Sequence, residues 1–289
     1  EDKTMSKHLE GIYTCRDIYK DIKDLYDGKS QQQYETGFQN LDPLLKIIKP
    51  SFMLITGTPN SGKSSFTLDL AQQLARLHNF KFCIYSPESS LSRNVARLVE
   101  KYCEKPFDKM FDNRISEEEL NHALAFINDH FYFIDKQEDS PDIKWILEKA
   151  EICRQEFGID CLITDPYNEI SSTRANINET EHISILISDI KRWNREHNMI
   201  TMMVAHPTKQ TRTAEGQFVV NSLYDVSGSS HWNNKCDVGI IVTRDYEDES
   251  TLIRVAKIRE VDVQGNVGAC KMRWSNAKRI FIPDMNYQE

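Results

Sequence analysis

Residues 57–65 read GTPNSGKSS, a loop bracketed by glycines with a lysine–serine pair at its exit. The spacing is G-x-x-x-x-G-K-[ST], with Gly57, Gly62, Lys63 and Ser64 at the fixed positions. Such a loop has a definite chemistry. Glycines let successive backbone N–H groups curl around phosphate oxygens. The N-terminus of the following helix adds positive potential. Lys63 reaches the β- and γ-phosphates, and Ser64 ligates Mg²⁺. The stretch Gly57, Thr58, Pro59, Asn60, Ser61, Gly62, Lys63, Ser64, Ser65 therefore marks a site for ATP or another nucleoside triphosphate. Its surroundings agree, with apolar SFMLI before it and helix-prone SSFTLDLAQQLARLH after it.

A magnesium ion at such a loop needs a second anchor, and an acidic residue at the end of an apolar strand supplies one. Asp165 closes CLITD in that manner. Hydrolysis further requires a group that orients and deprotonates water. Glu88 lies just past FCIYS, the strand that follows the loop's helix. We expect that strand to lie beside the phosphate loop, with Glu88 at its tip facing the γ-phosphate. This arrangement marks the RecA-like branch of P-loop ATPases. A small-molecule kinase would instead need an arginine-rich lid, and none is found.

The elements that position these residues are legible as pattern. Short apolar runs at 52–55, 82–86, 131–135, 161–165, 200–206 and 238–243 alternate with helical stretches. Continuous apolar strands separated by helices mean a parallel sheet covered on both faces. Ser116 with Glu119 forms a capping-box pattern. Ser140 followed by Pro141 is expected to open the next helix and Gly158 to close it. TLIRVAKIR, CKMRW and RIFIP then crowd together with turns between, as antiparallel strands at one sheet edge. The expected fold is α/β: a mostly parallel central sheet with helices on both faces and antiparallel C-terminal edge strands. Residues 1–35 stand apart. TCRDIYKDIKDLYDG puts Ile18, Ile22 and Leu25 on one helical face ending at Gly28, and KSQQQYE reads as a linker. A helix this short cannot hide its stripe alone. Residues 36–289 form the main domain.

Composition narrows the class. The chain has 289 residues, 39% of them hydrophobic, with net charge −8. That excludes a uniformly basic nucleic-acid coat but leaves room for a local basic patch. The 7 cysteines include no CxxC pair. Cys83 and Cys161 fall in strand-like runs, Cys103 and Cys153 in helix-like ones, and all four read as buried thiols. No apolar run is long enough to span a bilayer and no signal peptide opens the chain. The expectation is a soluble intracellular protein, cytoplasmic rather than mitochondrial. It begins without methionine and is expected to be a fragment of something longer.

From TGFQNLDPLL at 36–45 to the C-terminus, the chain resembles the RecA-like motor domain of DnaB-like hexameric replicative helicases, nearest the branch that holds Twinkle and the phage primase–helicases. Thr36, Gly37, Leu41 and Asp42 match the opening motif. The phosphate loop, SPES, ITDP and VAHPTK at 204–209 follow in order. DVSGSSHWNNKCDVGIIVTR at 225–244, VAKIR at 255–259 and GNVG at 265–268 complete the series. Two stretches depart from the family: KIIKPS lacks the usual glycines, and EVDVQGNVG is longer than the family turn.

The resemblance implies further roles. Glu88 is the catalytic base. His206 senses the γ-phosphate, on a strand expected between Asp165 and the nucleic-acid loops. Lys257 and Arg259, two apart on a strand and expected to share a face with Ile253 and Val255, project into a neighbouring subunit's site, with Arg259 as the arginine finger. A ring follows, most simply a hexamer. The loop after His206, with Lys209 and Arg212, and the loop after Asp165, with Arg174, are the candidate single-stranded DNA contacts. Arg244 and Tyr287 occupy places comparable to the residues that sandwich the base. The 1–35 helix would dock on the next subunit. No primase motif is visible, so a primase would be a separate domain or partner. The implied activity is ATP-driven DNA unwinding, 5′→3′. Two alternatives remain open: a RecA-like DNA-binding ATPase that does not unwind, and a nucleotide-switched loader or scaffold.

Overall fold

The computed structural model describes residues 11–29, 31–135, 141–171, 178–207, 211–212, 218–220, 222–226 and 230–287. In chain order these form α1 (Tyr19–Tyr26), β1 (Tyr34–Glu35), β2 (Lys46–Ile47), β3 (Ser51–Gly57), α2 (Lys63–His78), β4 (Phe82–Tyr85), α3 (Leu91–Cys103), α4 (Glu117–His130), β5 (Phe131–Ile134), α5 (Ile143–Phe157) and β6 (Cys161–Thr164). Then come α6 (Glu179–His197), β7 (Ile200–Val204), β8 (Thr211–Arg212), β9 (Phe218–Val219), α7 (His231–Lys235), β10 (Val238–Arg244), β11 (Ser250–Ile258), α8 (Val261–Gln264), β12 (Gly268–Ser275) and β13 (Ile280–Asp284).

The main sheet has 9 strands in the order β13-β12-β11-β10-β3-β7-β6-β4-β5. All six apolar runs are in it and run parallel to one another. β11, β12 and β13 extend it antiparallel, as expected of the C-terminal edge. The pleat explains why the parallel strands are apolar throughout. Along β3, Met53 and Ile55 face the core beneath α2, α3 and α4, while Phe52 and Leu54 face the core beneath α5, α6 and α7. On α6, Ile183, Leu186, Ile187 and Ile190 form one buried stripe at helical spacing. Each such side chain stabilises the fold by roughly 1.5–3 kcal/mol.

The sheet order corrects one expectation. β4, which leads to Glu88, does not lie beside β3, because β7 and β6 intervene. β7, which leads to His206, runs between β3 and β6, not between Asp165 and the loops beyond.

Helix punctuation largely follows the sequence. The Ser116–Glu119 capping box forms at α4, and Gly158 caps α5 in the left-handed region. The N-cap of α5 is Asp142, whose carboxylate accepts from Trp145 N; Ser140 lies outside the described residues. Tyr34 and Glu35, expected in the linker, pair with β2 instead. Cys83 and Cys161 are buried, whereas Cys103 and Cys153 are only half-buried. No helix among the described residues is long and apolar enough to cross a membrane.

A buried ion pair fastens the antiparallel edge to the loop's helix. Lys101 of α3 meets Asp69 of α2 at 2.7 Å, with side chains only 4% and 3% exposed. Asp69 also accepts from Phe281 N of β13 at 2.9 Å. Trp274 packs edge-on against Phe281 and lies over the Lys101 ammonium. α1 behaves differently: none of its residues is buried, and Ile18, Ile22 and Leu25 stay 39–62% exposed.

Candidate nucleotide site

The C-terminal ends of β3, β7 and β6 bring the phosphate loop, His206 and Asp165 together, and the turn after β4 adds Glu88. The loop itself is tightly constrained. Gly62 has φ of +95°, and a Cβ there would stand 2.9 Å from Phe281 Cζ. A Cβ on Gly57 would strike the Val242 carbonyl of β10 at 2.0 Å. Thr56 Oγ1 donates to the Ala205 carbonyl at 2.8 Å, tying the loop's strand to the residue before His206. Thr58 and Ser61 are buried, while Pro59 and Asn60 form the exposed tip. Asn60 takes the left-handed conformation with φ of 60°.

Lys63 opens α2 and folds inward. Its Nζ donates to the carbonyls of Gly57 at 3.0 Å and Thr58 at 2.8 Å. Burial pushes its pKa down to about 8, against the pull of the Asp165 and Glu88 charges. Burial likewise raises the Asp165 carboxyl, with a hydrogen bond from Ser64 opposing. The Ser64 hydroxyl and the Asp165 carboxylate therefore meet, as required of a shared cation site. His206 Nε2 stands 3.8 Å from Glu88 Oε1, and both side chains are open to solvent.

The donor set fits a nucleoside triphosphate with a hard divalent cation. It offers one buried ammonium, a hydroxyl–carboxylate pair of oxygen ligands, and a loop in which added side-chain bulk would collide. Ser61 Oγ is buried and has no hydrogen-bond partner within the protein, a polar atom facing the cradle that a ligand would satisfy.

Two asparagines passed over in the sequence support this cluster. Asn168 Oδ1 accepts from His206 N at 3.2 Å. Asn94, nearly fully buried, donates to the Ser86 and Ser89 carbonyls and braces the turn that carries Glu88. A poor helix former in the first turn of α3 is the one signal that points to Asn94.

Lys257 and Arg259 lie elsewhere. β11 bulges at Ala256: Gly239 of β10 pairs with Lys257, while Ile240 pairs with Val255. The extra residue turns the strand, so Ile253 and Val255 enter the core beneath α2 while Lys257 and Arg259 reach α7. The expectation of one face for all four is thus corrected by the bulge. Lys257 Nζ donates to the Asn233 and Asn234 carbonyls. Arg259 bonds Asn234 O at 3.0 Å and pairs with Asp237 at 2.8 Å. Lys191 of α6 pairs with the same Asp237 carboxylate. Both β11 cations thus sit at the negative end of α7. Val242 is level with Gly57, whereas Arg259 sits beside Asp237, so about five strand residues, or ~17 Å, separate Arg259 from its own loop. No arginine side chain spans that.

The remaining expected residues are dispersed. Arg244, two residues past the partner of Gly57, bonds Thr251 Oγ1 at 3.3 Å. Tyr287 lies over the Lys271 ammonium at 5.2 Å. Lys209 and Arg174 lie outside the described residues, and of Arg212 only the backbone, in β8, is described. Lys278 and Arg279 of the edge turn pair with Glu104 and Glu100 of α3, where simple solvation was expected.

Sheet order, loop and acidic strand end together define a RecA-like P-loop nucleotide-binding domain. The chain belongs to the DnaB-like helicase family: the model of the DnaB-like helicase C terminal domain matches residues 34–282. It is 35% identical over 274 residues to the chloroplastic/mitochondrial Twinkle homolog protein of Arabidopsis thaliana, covering 89% of this chain and 38% of that one. To the replicative DNA helicase DnaB of Geobacillus stearothermophilus it is 23% identical over 251 residues, covering 83% of this chain and 54% of the other. The chain thus spans about two fifths to one half of these relatives. Among solved structures it superposes on a helicase ATPase domain with TM-score 0.77 at 18% identity, covering 94% of this chain and 99% of that one. A DnaB-like replicative helicase, solved in a study of its interactions with primase, gives 0.72 at 20% identity and covers 93% and 66%.

Proposed function

We propose that the chain is the motor of an ATP-driven replicative DNA helicase, working as a ring on single-stranded DNA, 5′→3′. The observation that carries this reading is a division of the site. Lys63, Ser64, Asp165, Glu88 and His206 converge at one end of the sheet, while the two expected catalytic cations stand at the other end. A second copy would have to supply them.

On this reading Lys63 and the loop amides hold the β- and γ-phosphates, and Glu88 takes the proton from the attacking water. Ser64 and Asp165 would hold Mg²⁺, which when bound neutralises phosphate charge. Arg259 of the next subunit, with Lys257, stabilises the departing phosphoryl group. His206, next to Glu88, passes the phosphate state to the loop that follows it. Lys209, Arg212 and Arg174 grip the DNA backbone. Arg244 and Tyr287 bracket the base. Residues 36–289 are the motor and residues 1–35 pack on the neighbour; the exposed Ile18, Ile22 and Leu25 support that docking. A primase, fused or separate, is a candidate partner.

The test is ATP turnover at low salt, with and without single-stranded DNA, across protein concentrations. Turnover that DNA stimulates and that rises steeply with concentration is expected. Turnover indifferent to both would overturn the shared site. A 5′-tailed fork assay then separates unwinding from a non-unwinding DNA-bound ATPase.

A further inference from the structure

We propose that Arg254 is a positioning residue that couples the loop after His206 to the cations at the end of β11. The inference rests on the motor reading above. Arg254 lies on the α7 side of β11, and its guanidinium donates to the Val220 carbonyl at 3.1 Å. Val220 is 3% exposed and immediately follows β9, so this bond fastens the returning limb of the loop. Leu223 provides a second anchor: its Cδ1 stands 2.2 Å from where a Cβ on Gly239 would be. Gly239 is the residue that pairs with Lys257 across the bulge. The Pro207–Val226 bridge closes the root of the same loop.

One strand therefore joins two functions. Arg254 holds the loop root, and three residues further on, ~10 Å away, Lys257 begins the pair that grips the carbonyls of α7. β11 is hydrogen-bonded along both edges, to β10 and to β12. It can shift as a bar but not stretch. When Lys257 and Arg259 move toward a neighbour's phosphates, the displacement reaches the loop root through the Arg254–Val220 bond. When DNA fixes the loop, the same bond sets the finger. The coupling is reciprocal, as any linkage between two sites must be.

A residue that merely staples a loop would change stability and overall activity together. A coupling residue changes the response to DNA alone. The test uses the whole chain with Arg254→Met and Arg254→Lys, measuring nucleotide affinity, turnover without DNA, and turnover at saturating oligodeoxythymidylate. In Arg254→Met, nucleotide affinity and DNA-free turnover should stay near wild type while DNA stimulation falls by about tenfold. Arg254→Lys should recover part of it, since an ammonium also donates to a carbonyl. Full stimulation in Arg254→Met, or equal loss of basal and stimulated turnover, overturns the proposal. A wild type indifferent to DNA overturns the motor reading, and this proposal with it; a responsive wild type with a responsive Met variant overturns this proposal alone.

Discussion

The two ends of the parallel sheet make a telling contrast. At the C-terminal end, Lys63, Ser64, Asp165, Glu88 and His206 come from four different strands or their turns and meet within one cluster. At the other end, Lys257 and Arg259 are satisfied by the carbonyls of α7 and by Asp237, with no phosphate-binding loop near them. The first end is organised for chemistry by the chain alone. The second holds two cations ready at a surface, at the edge of their own domain. The difference teaches that this fold separates the binding of a nucleotide from the completion of its reaction centre. Assembly, on the proposed reading, brings the two together.

The strongest way to break that contrast is Arg259→Ala. The proposed trans role predicts a loss of turnover on the order of 10³-fold with nucleotide affinity retained, since the finger acts on transition-state charge. A variant that hydrolyses normally would make the far end mere surface. Glu88→Gln probes the near end. Turnover should drop by roughly 10²–10⁴-fold while nucleotide still binds; persistent turnover would remove Glu88 from the role of base.

A third change tests how the antiparallel edge is fixed to the near end. Lys101→Met leaves Asp69 buried and unpaired, and should cost about 3–5 kcal/mol in denaturant unfolding. An unchanged midpoint would show that the ion pair is not what fastens α2, α3 and β13.

The smallest effect is one of pH. Lys63 has its pKa lowered from 10.5 to about 8 by burial. Between about 8 and 10.5 the folded protein has released a proton that the unfolded chain still holds, so this group makes stability rise with pH across that window. Nucleotide affinity should move the opposite way. It should be flat from about pH 7 to 7.5 and weaken above about 8, by up to about tenfold per unit, because the bound phosphates need the ammonium. Lys63→Arg, which stays charged, should abolish the dependence. A wild-type affinity constant to pH 9.5 would contradict the buried-lysine account.

Much of the near end was legible in the sequence because its constraints are local. A strand–loop–helix with fixed glycines spells out a phosphate cradle within nine residues, and Ser64 and Asp165 do meet. The six apolar runs were readable because strands buried on both faces must be apolar at every position. What failed was everything set by the order of strands across the sheet. Chain order puts β4 next after β3, yet β7 and β6 lie between them, and hydropathy carries no trace of that. The bulge at Ala256 was equally silent, since no glycine or proline marks it. It changes which neighbours Lys257 shares a face with, so counting by twos along TLIRVAKIR misassigned the face. Asn168 and Asn94 were missed because a single asparagine announces nothing until its partners are in place.

Mixing Arg259→Ala with Lys63→Ala subunits tests the shared site most directly. Each variant alone should be nearly inactive. Mixed in equal parts, they place an intact loop against an intact finger at about one interface in four of a ring, so turnover should recover to about a quarter of wild type. No recovery at any mixing ratio, with both variants folded and assembled, would contradict the account.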